Sequence, residues 1–209
     1  YIRIRLGDES TRSDDAISAR YRKNIILDHI SASWSIDETM SIYHCENVTI
    51  QWCMITESLS QSNHTKGSHG FGGIWGSNYS TYHHNLLAHH SSRNPRWASG
   101  GGFNDYRNNV LYNWGYNSCY GGFGTENETY NSAYFNVVAN YYKPGPATNS
   151  GKETDRIRYR IAKIGVRTLD YVTEDDGSYN DWYPSLHKWG TFYVTGNVVE
   201  GHDDVTADN

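Results

Sequence analysis

An asparagine recurs at the same place in a repeated local pattern, and that recurrence limits the folds open to this chain more than any other feature. Polar and apolar residues alternate into the asparagine, and aliphatic or aromatic residues follow it. The pattern reads Tyr82-His83-His84-Asn85-Leu86-Leu87, Tyr106-Arg107-Asn108-Asn109-Val110-Leu111, Val137-Val138-Ala139-Asn140-Tyr141 and Val194-Thr195-Gly196-Asn197-Val198-Val199. It is the signature of a coiled solenoid, in which each turn sets the same bend residue above the last. Asparagine side chains then stack and hydrogen-bond as an internal ladder while aliphatic residues fill the core. The steps are 24 residues from Asn85 to Asn109, 31 to Asn140 and 57 to Asn197, so the connecting loops differ in length.

Strand-like segments fall at residues 1–6, 24–31, 47–56, 79–88, 103–112, 132–142 and 191–199, with no amphipathic helix between them. Strands joined by turns without crossover helices build a sandwich, a barrel or a solenoid. The repeated asparagine favours an all-β parallel β-helix over an antiparallel sandwich. A single domain spanning 1–209 is expected, with a surface excursion at about 144–188 of the kind that carries function on a rigid scaffold. Strand alternation begins at Tyr1 without a methionine. Earlier coils, and any export signal, are therefore expected to precede this sequence.

Charge narrows the partners. A formal net charge of -5 leaves no excess of Lys and Arg to neutralise phosphates, which argues against nucleic acid. A polyacid stays open if a divalent cation sits between protein and substrate carboxylates. The 18 Tyr and 7 Trp supply rings with a polar handle, suited to half-wet surfaces such as carbohydrate faces. No apolar run reaches the length of a membrane span. Cys45, Cys53 and Cys119 lack CxxC spacing and cannot all pair, so buried free thiols are expected, and nothing calls for more than a monomer.

Chemistry concentrates in the stretch from Tyr82 to Arg96. A strand with an asparagine bend runs into a loop that offers Arg93 and Arg96 around Pro95. Proline fixes its own φ and restricts the residue before it, so the two guanidinium groups are held apart at a set separation. Two held arginines suit carboxylate recognition, because each presents a planar donor fork. Without further context, an R-x-P-R match more often marks surface salt bridges.

The order of motifs resembles the pectate lyases of polysaccharide lyase family one. The family's H-H-N is matched by His83-His84-Asn85, its R-x-P and following arginine by Arg93-Asn94-Pro95 and Arg96, and its aliphatic-Asp-His by Leu27-Asp28-His29. The match runs in order to about Tyr142. It implies a right-handed parallel β-helix that cleaves α-1,4-linked polygalacturonate by β-elimination, with calcium as cofactor, in a secreted, periplasmic or cell-surface setting. Arg93 falls on the catalytic base, Arg96 on the supporting arginine that binds substrate, and Lys66 resembles the lysine that binds the substrate carboxylate. Calcium calls for several hard oxygen ligands. Asp15 and Asp37 resemble the family's ligands on successive coils, with Asp14 as the alternative register. Ser41 stands where a further carboxylate is expected, and Glu38 is the substitute.

Other features have plainer readings. His64, His69, His83, His84, His89 and His90 invite a transition-metal site, but neighbours along a strand point to opposite faces. Stacked or hydrogen-bonded histidines near the cleft are expected instead. The stretches Gly70-Phe71-Gly72-Gly73, Ser99-Gly100-Gly101-Gly102 and Gly121-Gly122-Phe123-Gly124 open no helix and suit tight solenoid corners. Trp75, Trp97, Trp114 and Tyr120 are assigned to core packing ahead of sugar stacking. A pectin lyase acting on methylated polymer, and a carbohydrate-binding β-helix without catalysis, are the alternatives kept open.

Overall fold

Within both sheets every strand pairing is parallel, as a solenoid requires and an antiparallel sandwich forbids. The computed structural model describes residues 1–9, 13–125, 133–148 and 156–209. The first wall stacks Ile2–Arg5, Ile30–Ser33, Met54–Thr56, Leu86–Ala88, Val110–Tyr112, Tyr141–Lys143 and Val198–Val199, one strand per coil. The other sheet is folded into two walls, because Met40–Gln51 and Ile74–His83 each serve both. Their leading halves join Ile17–Arg20, Arg96–Trp97, Cys119–Gly121 and Ala162–Ile164 in the second wall. Their trailing halves join Lys23–Asp28, Gly102–Arg107, Ala133–Val138 and Thr191–Thr195 in the third. The chain is a parallel β-helix. Ser132, the expected start of one strand, lies outside the described residues.

The asparagine ladder is present and buried. Nδ2 of Asn85, Asn109, Asn140 and Asn197 donates to Oδ1 of Asn109, Asn140, Asn197 and Asn209 at 3.1, 3.0, 2.9 and 3.0 Å. The same acceptor oxygens take the backbone N–H of the asparagine one coil earlier. Cys53 opens the series by donating its backbone N–H to Asn85 Oδ1. The residue before each rung is left-handed: Trp52, His84, Asn108, Ala139 and Gly196 have φ between 52° and 64°. One left-handed residue followed by an extended one turns the chain from the third wall to the first. The ladder holds that costly conformation in place coil after coil.

Between the walls lie Met40, Ile42, Ile50, Ile55, Leu87 and Leu111, with Trp75 and Tyr82 stacked at 4.9 Å. Trp75, Trp97 and Trp114 are all core residues, and the three cysteines are buried and free. Within the 144–188 segment, residues 149–155 lie outside the described set. The rest is anchored rather than standing off. It supplies the strand Ala162–Ile164 and the short helix Leu169–Val172, it buries Ile157 and Val172, and Trp114 Nε1 donates to the Ile157 carbonyl at 3.0 Å.

Candidate functional site

At the entrance to the second wall, successive coils place one short segment above another. Backbone bridges join Glu38 to Phe71 and Phe71 to Ser92, and Ala16 donates to the Glu38 carbonyl. This register stacks Asp15, Glu38, Phe71 and Ser92 in a column across four coils, with Arg93 following directly on Ser92. Gly72 and Gly73 hold its upper end, donating to the Ser92 and Arg93 carbonyls. A side chain on Gly72 would collide with the Arg93 carbonyl oxygen, so only glycine admits this approach.

Arg93 sits at φ 62°, forms an ion pair with Glu38, and lays its guanidinium 4.1 Å above the Phe71 ring. The Asn94–Pro95 peptide bond is cis. Asp15, Asp37 and Glu38 bring carboxylate oxygens within 4.8 Å of one another. Asp15 Oδ1 accepts the Glu38 backbone N–H at 3.1 Å, and Asp37 Oδ1 is buried and accepts no hydrogen bond among the described residues. Burial and the neighbouring Asp37 charge push the Asp15 carboxyl up to about 7, against the pull of Ser41 and Arg93. Ser41 thus contributes a hydroxyl to the cluster where a carboxylate was expected, and its Oγ also accepts the Ile74 N–H at 3.1 Å. Asp14 is exposed and lies outside the cluster, though its charge is felt at Asp15.

Three converging carboxylates repel one another unless a proton or a cation stands between them. An all-oxygen set with an unpartnered buried oxygen fits a hard divalent cation such as calcium. Asp37 also faces two imidazoles: His64 Nε2 lies 3.4 Å from Oδ2 and His69 Nε2 3.9 Å from Oδ1, with the rings stacked at 3.5 Å. Lys66, on the same loop, is exposed, and its backbone N–H donates to His64 Nδ1 at 3.0 Å. No hydrogen bond or ion pair joins its ammonium to the carboxylates or to Arg93 among the described residues. His64 and His69, from the loop that carries Lys66, are thus the basic side chains that stand beside Asp37. Five-residue spacing on a Gly- and Ser-rich loop was their only signal in the sequence. The other histidines named from the sequence are engaged elsewhere: His83 and His84 bring their Nδ1 atoms to 2.7 Å and His84 stacks on Trp52 at 4.4 Å, His89 pairs with Asn113, and His90 is buried against Ser58 and the Ile55 carbonyl.

Arg96 points away from this cluster into a neighbouring cavity of about 650 Å³ on the second wall, shared with Arg20, His44, Arg167 and Trp182. Arg20 and Tyr43 line both this cavity and a smaller one that reaches Asp15. No helix of the described residues is long and apolar enough to cross a membrane.

Fold and site together define the class: a parallel β-helix with a carboxylate cluster against an arginine and an arginine-lined cavity on its second wall. Comparison by sequence finds proteins similar to this chain. The chain is 36% identical over 183 residues to a protein of Aspergillus terreus named "Probable pectate lyase C", aligning 86% of this chain with 40% of that one. Proteins of the same name from Aspergillus flavus and Aspergillus oryzae are each 36% identical over 182 residues, with the same coverage. The chain is thus similar to proteins named pectate lyase over most of its own length, and it spans about 40% of the length of these curated relatives. No family model matches it.

Proposed function

We propose that this chain belongs to the catalytic region of a calcium-dependent pectate lyase that cleaves α-1,4-linked polygalacturonate by β-elimination. The reading is carried by the contact of Arg93 with Glu38 beside Asp15 and Asp37, in a chain whose relatives bear the name pectate lyase. In this reaction the neutral guanidine of Arg93 takes the proton from C5 of a galacturonate. The C5–H electrons form the C4–C5 double bond, the C4–O bond to the next sugar breaks with its electron pair going to the oxygen, and that oxygen takes a proton from solvent water, while the guanidinium of Arg93 returns its proton to solvent.

Asp15, Asp37 and Glu38 would hold calcium, with Asp14 at the rim. When bound, the ion supplies positive charge to the substrate's C6 carboxylate, which acidifies the adjacent C5–H. Arg96 would grip a substrate carboxylate through its donor fork, and Lys66 would meet another from its exposed loop. A guanidinium yields its proton only well above neutrality, so activity is expected to rise through the alkaline range. The polymer lies outside the cell, which implies a secreted, periplasmic or surface protein.

The carboxylate cluster favours pectate over methylated pectin, since an esterified substrate offers no anion for a cation to bridge. Ser41, in place of a carboxylate, favours the second reading, a β-helix that binds the polymer without cleaving it. Arg93→Lys separates the two. We expect product formation to fall by at least ~100-fold while calorimetric affinity for oligogalacturonate changes by less than ~3-fold. A wild-type protein that binds the oligomer and releases no product would establish the binding module instead.

A further inference from the structure

We infer that Asp37 and His69 form a second divalent-cation site, for a transition ion of the zinc class, next to the calcium site and bridged to it by Asp37. The site stands apart from the lyase reading and depends only on how the loop carrying His64 and His69 meets Asp37.

Two electron-pair donors face each other there. His69 Nδ1 lies 3.1 Å from the Gly67 carbonyl oxygen, which can only accept, so in the neutral ring Nδ1 carries the proton and Nε2 keeps a lone pair. That Nε2 stands 3.9 Å from Asp37 Oδ1, a buried oxygen that accepts no hydrogen bond among the described residues. Neither atom brings a hydrogen to the other, and a cation between them satisfies both. Zinc takes a nitrogen at about 2.0–2.1 Å and a carboxylate oxygen at about 2.0–2.2 Å, so two of its ligands stand up to about 4 Å apart. The 3.9 Å separation fits one ion.

The surroundings hold both ligands in place. A metal-bound imidazole commonly donates its other N–H to a backbone carbonyl, the part Gly67 plays here. The His69 ring is packed on two sides, stacked on His64 at 3.5 Å and tilted against Phe71 at 4.8 Å. His64 serves Asp37 from outside the site. Its Nδ1 accepts the Lys66 backbone N–H at 3.0 Å, so its proton sits on Nε2, 3.4 Å from Asp37 Oδ2. One oxygen of the acid is steadied by His64, and the other is left to the ion.

Donor chemistry separates this ion from calcium. Asp37, His64 and His69 gather within 4.8 Å of one another, Asp15, Asp37 and Glu38 do so as a second group, and Asp37 alone belongs to both. Calcium takes oxygen ligands, whereas imidazole suits zinc and its transition-metal neighbours. Asp37 and His69 fill two positions of the ion's shell, and water fills the rest.

The test titrates zinc into the calcium-saturated chain by calorimetry, in the wild type and in His69→Phe, which keeps a ring against His64 and Phe71. The site predicts one zinc ion bound by the wild type, at least ~10-fold weaker zinc binding in His69→Phe, and calcium affinity within ~2-fold of wild type. Zinc held equally by both proteins, or zinc displaced one for one by calcium in the wild type, would overturn it. Should His69→Phe fail to fold, cobalt(II) bound to the wild type decides: a ligating His69 shows its Nδ1 proton shifted far outside the ordinary proton spectrum, and the lack of such a signal overturns the site. A wild type that forms unsaturated product with calcium and binds no zinc sinks this site and leaves the lyase reading standing. A wild type that binds zinc through His69 and forms no product sinks the lyase reading and leaves the site.

Discussion

Arg93 combines a left-handed backbone, a ring beneath its guanidinium and an acid against it, and each comes from a different coil. Its place in the sequence was legible because Pro95 and the neighbouring arginine mark it within one short run. The residues around it were not, since Phe71, Glu38 and Asp15 meet it only through the coil register. Arg167 was wholly hidden: Phe123, Tyr171 and Trp182, whose rings enclose its guanidinium, lie far apart along the chain and converge only after the 156–188 segment packs. A separate residue tests the burial account. Burial drives the His90 imidazole down to about 4, the Ile55 carbonyl opposing and His89 adding to the shift. Its folded pKa lies below its unfolded value of about 6.5, so its contribution to stability is complete above pH ~6.5 and is lost as pH falls towards 4. The loss amounts to about 3 kcal/mol. Chemical denaturation of wild type and His90→Asn at pH 7 and pH 4.5 should show a smaller pH-dependent loss in the variant, and equal losses would refute the assignment.

At the scale of the coil, the ladder was the most legible element, because one residue type must recur wherever a bend needs both a donor and an acceptor inside the core. Asn109 shows what each rung does. Its Oδ1 accepts from Asn85 twice, and its Nδ2 donates to the Tyr82 carbonyl and to Asn140. Asn109→Ala leaves several of these groups buried without partners, at about 1–3 kcal/mol apiece. Urea unfolding should register a loss of roughly 3 kcal/mol or more, and a loss below ~1 kcal/mol would deny the ladder its structural role. The second wall was not legible. Its strands are as short as Arg96–Trp97 and sit among glycines at Gly102 and Gly121, so neither alternation nor length distinguishes them from corners. The wall exists because neighbouring coils complete its hydrogen bonds. Gly72→Ala probes its hold on the site. It should reduce product formation along with the position of Arg93, while leaving Asn85 and the ladder on the far side intact.

For the whole molecule, the solenoid fixes an order of events: coils stack, acids from successive coils converge, and their repulsion awaits a cation. Calcium binding should therefore stabilise the folded state. At free calcium 100 times the dissociation constant, the gain is about 2.7 kcal/mol, which for a chain of this size raises Tm by roughly 5–10 °C. Asp37→Asn should abolish most of that shift in a thermal melt, and a calcium shift that survives the substitution would place the ion elsewhere. Under the proposed function, the carboxylate cluster and the arginine-lined cavity act together on a polymer of carboxylates bridged by a cation. The most direct test follows the ultraviolet absorbance of an unsaturated uronate as the protein acts on polygalacturonate at alkaline pH with calcium, before and after chelator is added. The account predicts a steady rise that chelation stops. Reducing ends that accumulate without any rise would mean hydrolysis, and would contradict it.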